Sequence, residues 1–195
     1  MTGLAPEMAP ARPGNLEQLR ADAIRLVSEL EPVDAREDQV RADLLAHLDR
    51  HPDAWWKYGP PAHFTASVLV LSEDRRQVLL THHRKARTWF QLGGHAEPGD
   101  LDVVGVARRE GREESGIPDL QVSPRLVDVD RHALGTGFAV CREHLDLRFV
   151  AVVGEVTPVV SHESLDVAWW PVDALPHPHG EELPRLIERA GLRVP

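Results

Sequence analysis

The chain has one cysteine, Cys141, among 195 residues. A single cysteine cannot close an internal disulfide, so the fold must hold without covalent staples. A chain of this length can bury a core large enough to do so. Cys141 follows Phe138, Ala139 and Val140 and reads as a small core side chain rather than a nucleophile. Long apolar runs are also missing: no stretch approaches the ~20 residues that a membrane helix needs. Met1 to Gly14 has no positive segment followed by an apolar one. The expectation is an intracellular, cytoplasmic protein with no membrane partner. Positive charge is scarce, with 22 Lys and Arg against 31 Asp and Glu and a net charge of −9. Duplex nucleic acid, which calls for a basic footprint, is therefore not an expected partner. A small phosphorylated ligand is still allowed, because a divalent cation can supply the positive charge. Zinc signals are absent too. The 11 histidines are scattered, without HExxH spacing or cysteine partners, and no zinc site is expected.

What is present begins with a loose tail, residues 1–13, carrying three prolines. A helical extension over 14–52 follows. Leu16, Leu19, Ala23, Leu26 and Leu30 recur at helical spacing, and Val40, Leu44, Leu45 and Leu48 form a second stripe after Pro32. From about residue 60 the pattern changes to β-branched and apolar segments. Strands are expected over Phe64–Leu71, Gln77–Thr81, Thr88–Leu92, Val122–Asp130, Leu147–Val156 and Val167–Val172, with helices over Leu101–Ser115 and Glu181–Ala190. Interspersed helices and strands predict a layered mixed α/β fold over 60–195.

The chemistry concentrates between Gly93 and Ile117. Val103, Val106 and Ala107 share one helical face, and Glu110, Glu113 and Glu114 continue the same stripe. Acids on a solvated face should lie opposite the apolar stripe. Acids in line with it repel one another and are costly to desolvate. A divalent cation resolves both problems, and oxygen-only ligands favour Mg²⁺ or Mn²⁺ over zinc. Ahead of the helix, Gly93, Gly94 and Gly99 form a flexible loop able to offer backbone groups to a metal or phosphate.

Gly94, Arg109-Glu110, Glu113-Glu114 and Gly116-Ile117 together resemble the signature box of the Nudix hydrolase superfamily (MutT-like). Leu92 to Gly99 is similar to the family's loop, and the resemblance spans roughly Ala62 to Leu175, with the first two helices outside it. It implies an α/β/α sandwich with a mixed central sheet, plus the two N-terminal helices. It also implies Mg²⁺-dependent cleavage of the pyrophosphate linkage in a nucleoside diphosphate joined to another group. Glu110, Glu113, Glu114 and the Gly94 carbonyl become the metal ligands, Glu113 the general base, and Arg109 the group that orients the carboxylates. Some family members take the base from a later loop, where Glu163 is the candidate. Two departures stand out. Asp100 replaces the first box Glu, with eight residues between it and Arg109, one more than the signature, so Asp100 is a candidate helix cap instead. Gly111 stands where an apolar residue is expected.

Further candidates lie elsewhere. Arg84 and Lys85 are placed to meet phosphate oxygens, or to form a solvated basic turn. His144, Asp146 and Arg148 share one face of a strand, either lining the substrate cleft or simply exposed. Asp128, Asp130 and His132 alternate in the same way and suggest a second metal site. Trp89, Trp169 and Trp170 are candidates to stack on a base or to fill the core. The partner expected is a small nucleotide-type diphosphate, and the N-terminal helices are candidates for a homodimer contact. Two alternatives remain open. One is an isoprenoid-diphosphate isomerase on the same fold, for which Cys141 is the only available cysteine; the other is a non-catalytic nucleotide-binding regulator.

Overall fold

The computed structural model describes residues 12–134, 141–162 and 164–193. Two helices come first, α1 (Leu16–Glu29) and α2 (Ala35–Arg50). Asp34 starts α2 by accepting the Glu37 amide, meeting one of the donors a helix start leaves unpaired. Strands β1 (Ala62–Ser72), β2 (Gln77–His83), β3 (Thr88–Phe90) and β4 (Leu92–Gly94) lead into helix α3 (Val103–Ser115). Then come β5 (Asp128–Ala133), β6 (Glu143–Val153), β7 (Ser164–Pro171) and helix α4 (Leu183–Arg193). Among the described residues no helix is long and apolar enough to cross a membrane.

The seven strands form one mixed sheet. Its path is β3-β2-β1-β6-β5, with β4 on β1 and β7 on β2. Among the described strand pairs the central one alone is parallel: β1 and β6 run in register from Ala62 opposite Glu143 to Ser72 opposite Val153. Such a pair is buried on both faces, and its side chains sort by parity. Phe64, Ala66, Val68 and Val70 face one core layer, shared with α1, α2 and α3. Leu69 and Leu71 face the other, with Leu183, Leu186 and Ala190 of α4. The sheet is thus covered by helices on both sides, as expected. The α4 face is apolar only in the second half of β1. In its first half the same face carries His63, Thr65 and Ser67, all buried and polar.

Strand expectations shift in several places: Thr88–Leu92 divides into β3 on β2 and β4 on β1, and the last strand starts at Ser164 rather than Val167. Val122–Asp130 is mostly not strand, because Pro124 has no amide to give to a ladder. Only isolated bonds, Ser123 N to Val150 O and Val127 N to Arg148 O, both at 2.9 Å, run along β6 before β5 begins. Strand β6 starts at Glu143 rather than Leu147, since its first residues pair with β5 as well as β1.

The N-terminal helices are built into this body. Leu16, Leu19, Ala23, Leu26, Val27, Leu44 and Leu48 belong to the same core layer as β1 and α3. Their apolar stripes are therefore consumed within the chain.

Candidate active site

Helix α3 carries the acids, and both its ends are fixed. Asp102 caps the start by accepting the Gly105 amide, and Gly116 ends it in the left-handed conformation, φ 69°. The expected capping role of Asp100 is thereby corrected. Asp100 is buried, 6% exposed, and grips Arg109 instead, accepting from Nε and Nη2 at 3.1 Å each while also accepting the Glu97 amide at 2.7 Å. The extra loop residue thus leaves a carboxylate at the place where the Arg109 guanidinium is held.

Arg109 spreads its remaining donors over the site. It bonds Glu110 and Glu113 at 3.1 Å each and the His95 carbonyl at 2.7 Å. Burial works against the charged guanidinium, but the bond to Asp100 and the charges of Glu110, Asp100 and Glu97 outweigh it and raise its pKa above the ordinary arginine value. Two of the three acids touch the loop strand β4. Glu114, 8% exposed, accepts the Gly93 amide at 2.8 Å. A Cβ on Gly94 would lie 2.6 Å from Glu110 Oε1, so only glycine lets this backbone approach the carboxylate. The Glu113 side chain is 58% exposed and reaches outward. Gly111 is explained in the same way: a Cβ there would lie 2.6 Å from Leu120 Cδ2 and 2.8 Å from Val68 Cγ1. The apolar position is empty because helix and sheet meet there.

Sequence reasoning missed the bracing from α1. Asp22 accepts the Val103 amide at 2.9 Å, satisfying a donor at the first turn of α3. The Asn15 side chain donates to the Glu97 carbonyl at 3.0 Å and also to that of Asp100. These partners lie 81 to 85 residues apart in sequence, so no local pattern reveals them.

The other candidates divide. His144, Asp146 and Arg148 do share a face of β6, but the face is interior. Arg148 is fully buried, with Asp146 at 2.9 Å, Asp128 and Asp130 at 3.2 Å, and Glu182 at 3.4 Å. Its donors are occupied by protein carboxylates, which corrects its reading as a substrate contact. Asp146 also accepts from Thr65 at 2.9 Å and Ser67 at 2.7 Å. Asp128 and Asp130 are not a second metal site, because Arg36, Arg148 and Arg185 already neutralise them. Arg84 is tied to the carbonyls of His162 and Ser164, while Lys85 is exposed in the turn after β2. Trp89 packs edge-on against Trp170 in the α4 layer, and Trp169 donates to the Val156 carbonyl at 3.0 Å. Glu163 and the neighbours Phe138, Ala139 and Val140 used to read Cys141 as core lie outside the described residues. Cys141 itself is only partly buried. Its thiol lies 3.1 Å from His63 Nε2 and 3.9 Å from His95 Nε2. Neither the core reading of this cysteine nor the claim that the histidines are scattered and lack a cysteine partner survives.

The comparisons with known proteins agree with this geometry. Among curated proteins no sequence match was found. Solved structures do match. A NUDIX-family hydrolase from Clostridium perfringens is 25% identical, with TM-score 0.52, over 67% of this chain and 97% of its own. A MutT NUDIX hydrolase from Burkholderia pseudomallei is 19% identical, TM-score 0.53, over 66% and 97%. A Caenorhabditis elegans Ap4A hydrolase is 17% identical, TM-score 0.52, over 66% and 95%. The family model of the NUDIX domain matches residues 61–190, from the start of the sheet almost to the end of α4, and the chain therefore belongs to the NUDIX family of hydrolases.

Proposed function

We propose that the chain hydrolyses the pyrophosphate linkage of a nucleoside diphosphate joined to a second group, with Mg²⁺ as its ion and Mn²⁺ as a substitute. The observation that carries this reading is the joint between α3 and β4. Glu110 and Glu114 lie directly against Gly94 and Gly93, while Asp100 fixes the arginine that bridges Glu110 and Glu113. Carboxylates grouped beside the β4 backbone offer an oxygen-only donor set, which fits a hard divalent cation. Glu110, Glu113, Glu114 and the Gly94 carbonyl would hold it. When bound, such an ion lowers the pKa of a water and screens the diphosphate charge.

The residues contribute positioning. Arg109 keeps Glu110 and Glu113 in fixed relation by bonding both through one nitrogen. Glu113 is the general base: it alone of the three extends well into solvent, where it can take a proton from the attacking water. Glu163 is the second candidate for that role. Lys85, exposed after β2, is the better placed of the basic pair to meet a phosphate oxygen, since Arg84 is engaged by backbone.

Two relatives bear on the substrate class. The C. elegans protein is named for Ap4A, and the NUDIX domain of Shewanella oneidensis NrtR was solved with ADP ribose. Both compounds carry a nucleotide joined through a phosphoanhydride. A panel of nucleotide sugars, dinucleoside polyphosphates, dinucleotide cofactors and nucleoside triphosphates, run with and without Mg²⁺, tests the reading. It predicts metal-dependent release of a nucleotide product from at least one linked diphosphate. Turnover that persists after chelation would contradict it.

A further inference from the structure

Four donors that are distant in sequence meet at the polar half of the α4 face. His63 lies on β1, and its register partner across the parallel pair is His144 of β6. His95 follows β4 directly, and Cys141 stands just ahead of β6, where the next residue, Arg142, bonds the Pro61 carbonyl at 2.9 Å. One ligand atom from each of the four can be chosen so that all lie within 4.8 Å of one another. His63 Nε2 is 3.0 Å from His95 Nε2 and 3.1 Å from the Cys141 sulfur. We propose that His63, His95, Cys141 and His144 form a four-ligand site for a borderline-soft transition metal of the Zn²⁺ class, separate from the acids of α3.

Three features of the cluster support a metal rather than a packed group of histidines. First, the set is three imidazoles and one thiol, the donor mixture that selects zinc over magnesium, and four protein ligands make a closed, structural site. Second, His63 Nδ1 lies 3.1 Å from the Pro60 carbonyl. That bond places its ring proton on Nδ1 and turns a bare Nε2 lone pair toward the cluster, the outer-partner arrangement that orients metal-binding histidines. Third, His144 Nε2 is buried and has no hydrogen-bond partner among the described residues, a cost that coordination to an ion would remove.

The consequence reaches the active site. His95 is adjacent to Gly94, and its carbonyl accepts from Arg109. A metal bound here pins the loop after β4 to both strands of the central parallel pair, and so fixes the backbone that carries the Gly94 carbonyl.

Cobalt provides the test. The full chain, stripped with chelator and kept reduced, is titrated with Co²⁺ and then with Zn²⁺. The site predicts one equivalent of tetrahedral cobalt with a sulfur-to-cobalt charge-transfer band, bleached by Zn²⁺. Cys141→Ser abolishes the charge-transfer band. His144→Ala weakens Co²⁺ binding by more than about 100-fold, since loss of outer partners alone costs about 10–100-fold. Should His144→Ala fail to fold by circular dichroism, His95→Asn on the loop carries the same expectation. Glu113→Gln leaves the band intact. A wild-type chain without a cobalt–thiolate band overturns the proposal. So does Co²⁺ binding that survives His144→Ala or His95→Asn and disappears in Glu113→Gln, which would place the ion at the α3 acids. None of these readouts depends on turnover.

Discussion

Arg109 shows how much of the site depends on single side chains. Its guanidinium serves Asp100, Glu110, Glu113 and the His95 carbonyl at once. Lysine offers a point charge on a flexible stem and cannot reproduce that fork. Arg109→Lys should fold normally yet lower kcat by about 10–100-fold, the scale on which small misplacements of catalytic groups act. Steady-state kinetics alongside a melting curve separates the two effects. Gly94→Ala should act similarly, because the new methyl would meet the Glu110 carboxylate at 2.6 Å and push it from the loop. The expected signature is a larger fall in activity than in thermal stability. At this scale the sequence was readable where the spacing is short. Glu110, Glu113 and Glu114 follow from one helical stripe, whereas the reason for Gly111 emerges only where helix and sheet meet. The true work of Asp100 was not readable, because a carboxylate near a helix start can cap or can reach forward to Arg109, and only the folded loop decides. The role of Arg148 was hidden for a different reason: alternation shows which residues share a face, not whether that face is open.

Among the elements, α3 shows how a helix is held from outside. Its own cap is Asp102, but Asp22 of α1 satisfies the neighbouring Val103 amide. Asp22→Ala should cost about 1 kcal/mol, the usual loss when a helix start gives up its acceptor. Chemical denaturation measures it, and an unchanged midpoint would mean that water replaces the carboxylate without penalty. Helices α1, α2 and α3 were legible because their apolar periodicity lies within each segment. Strand β5 was displaced in the sequence reading because residues 122–127 are apolar enough for a strand, while Pro124 denies them a ladder. The His63, His95, Cys141 and His144 cluster was unreadable for a topological reason. It is assembled by the parallel pairing of β1 with β6 and by β4 lying on β1, and neither pairing leaves a local trace in sequence.

For the whole molecule, the buried charge network is the main electrostatic commitment. Arg148 sits among Asp128, Asp130, Asp146 and Glu182, and the first two are also reached by Arg36 from α2 and by Arg185 from α4. It therefore joins sheet, extension and C-terminal helix. Burial alone would raise the Asp130 carboxyl, but His132, Arg148 and Arg185 reverse this and hold it below the ordinary range. A depressed folded pKa gives stability that is present above the unfolded value of about 3.9 and is lost as pH falls through the folded value. Asp130→Asn should therefore destabilise the chain at neutral pH by about 3 kcal/mol, the low end for removing one partner of a buried ion pair. The difference from wild type should shrink below about pH 4, where Asp130 begins to protonate in the unfolded chain. Neighbouring Asp128 is shifted in the opposite sense, raised by burial. Removal of residues 1–50 should cost the chain its cooperative unfolding, because α1 and α2 complete the core layer shared by β1 and α3.

The central claim is that acids on α3 drive metal-dependent cleavage of a nucleotide-linked diphosphate. The most direct measurement is the Mg²⁺-dependent rate on the best substrate of the panel for wild type and for Glu113→Gln, with folding checked in parallel. A fall of about 10²–10⁴-fold, the worth of a positioned general base, is predicted with the fold unchanged. A Glu113→Gln chain that cleaves the substrate at the wild-type rate would contradict the account.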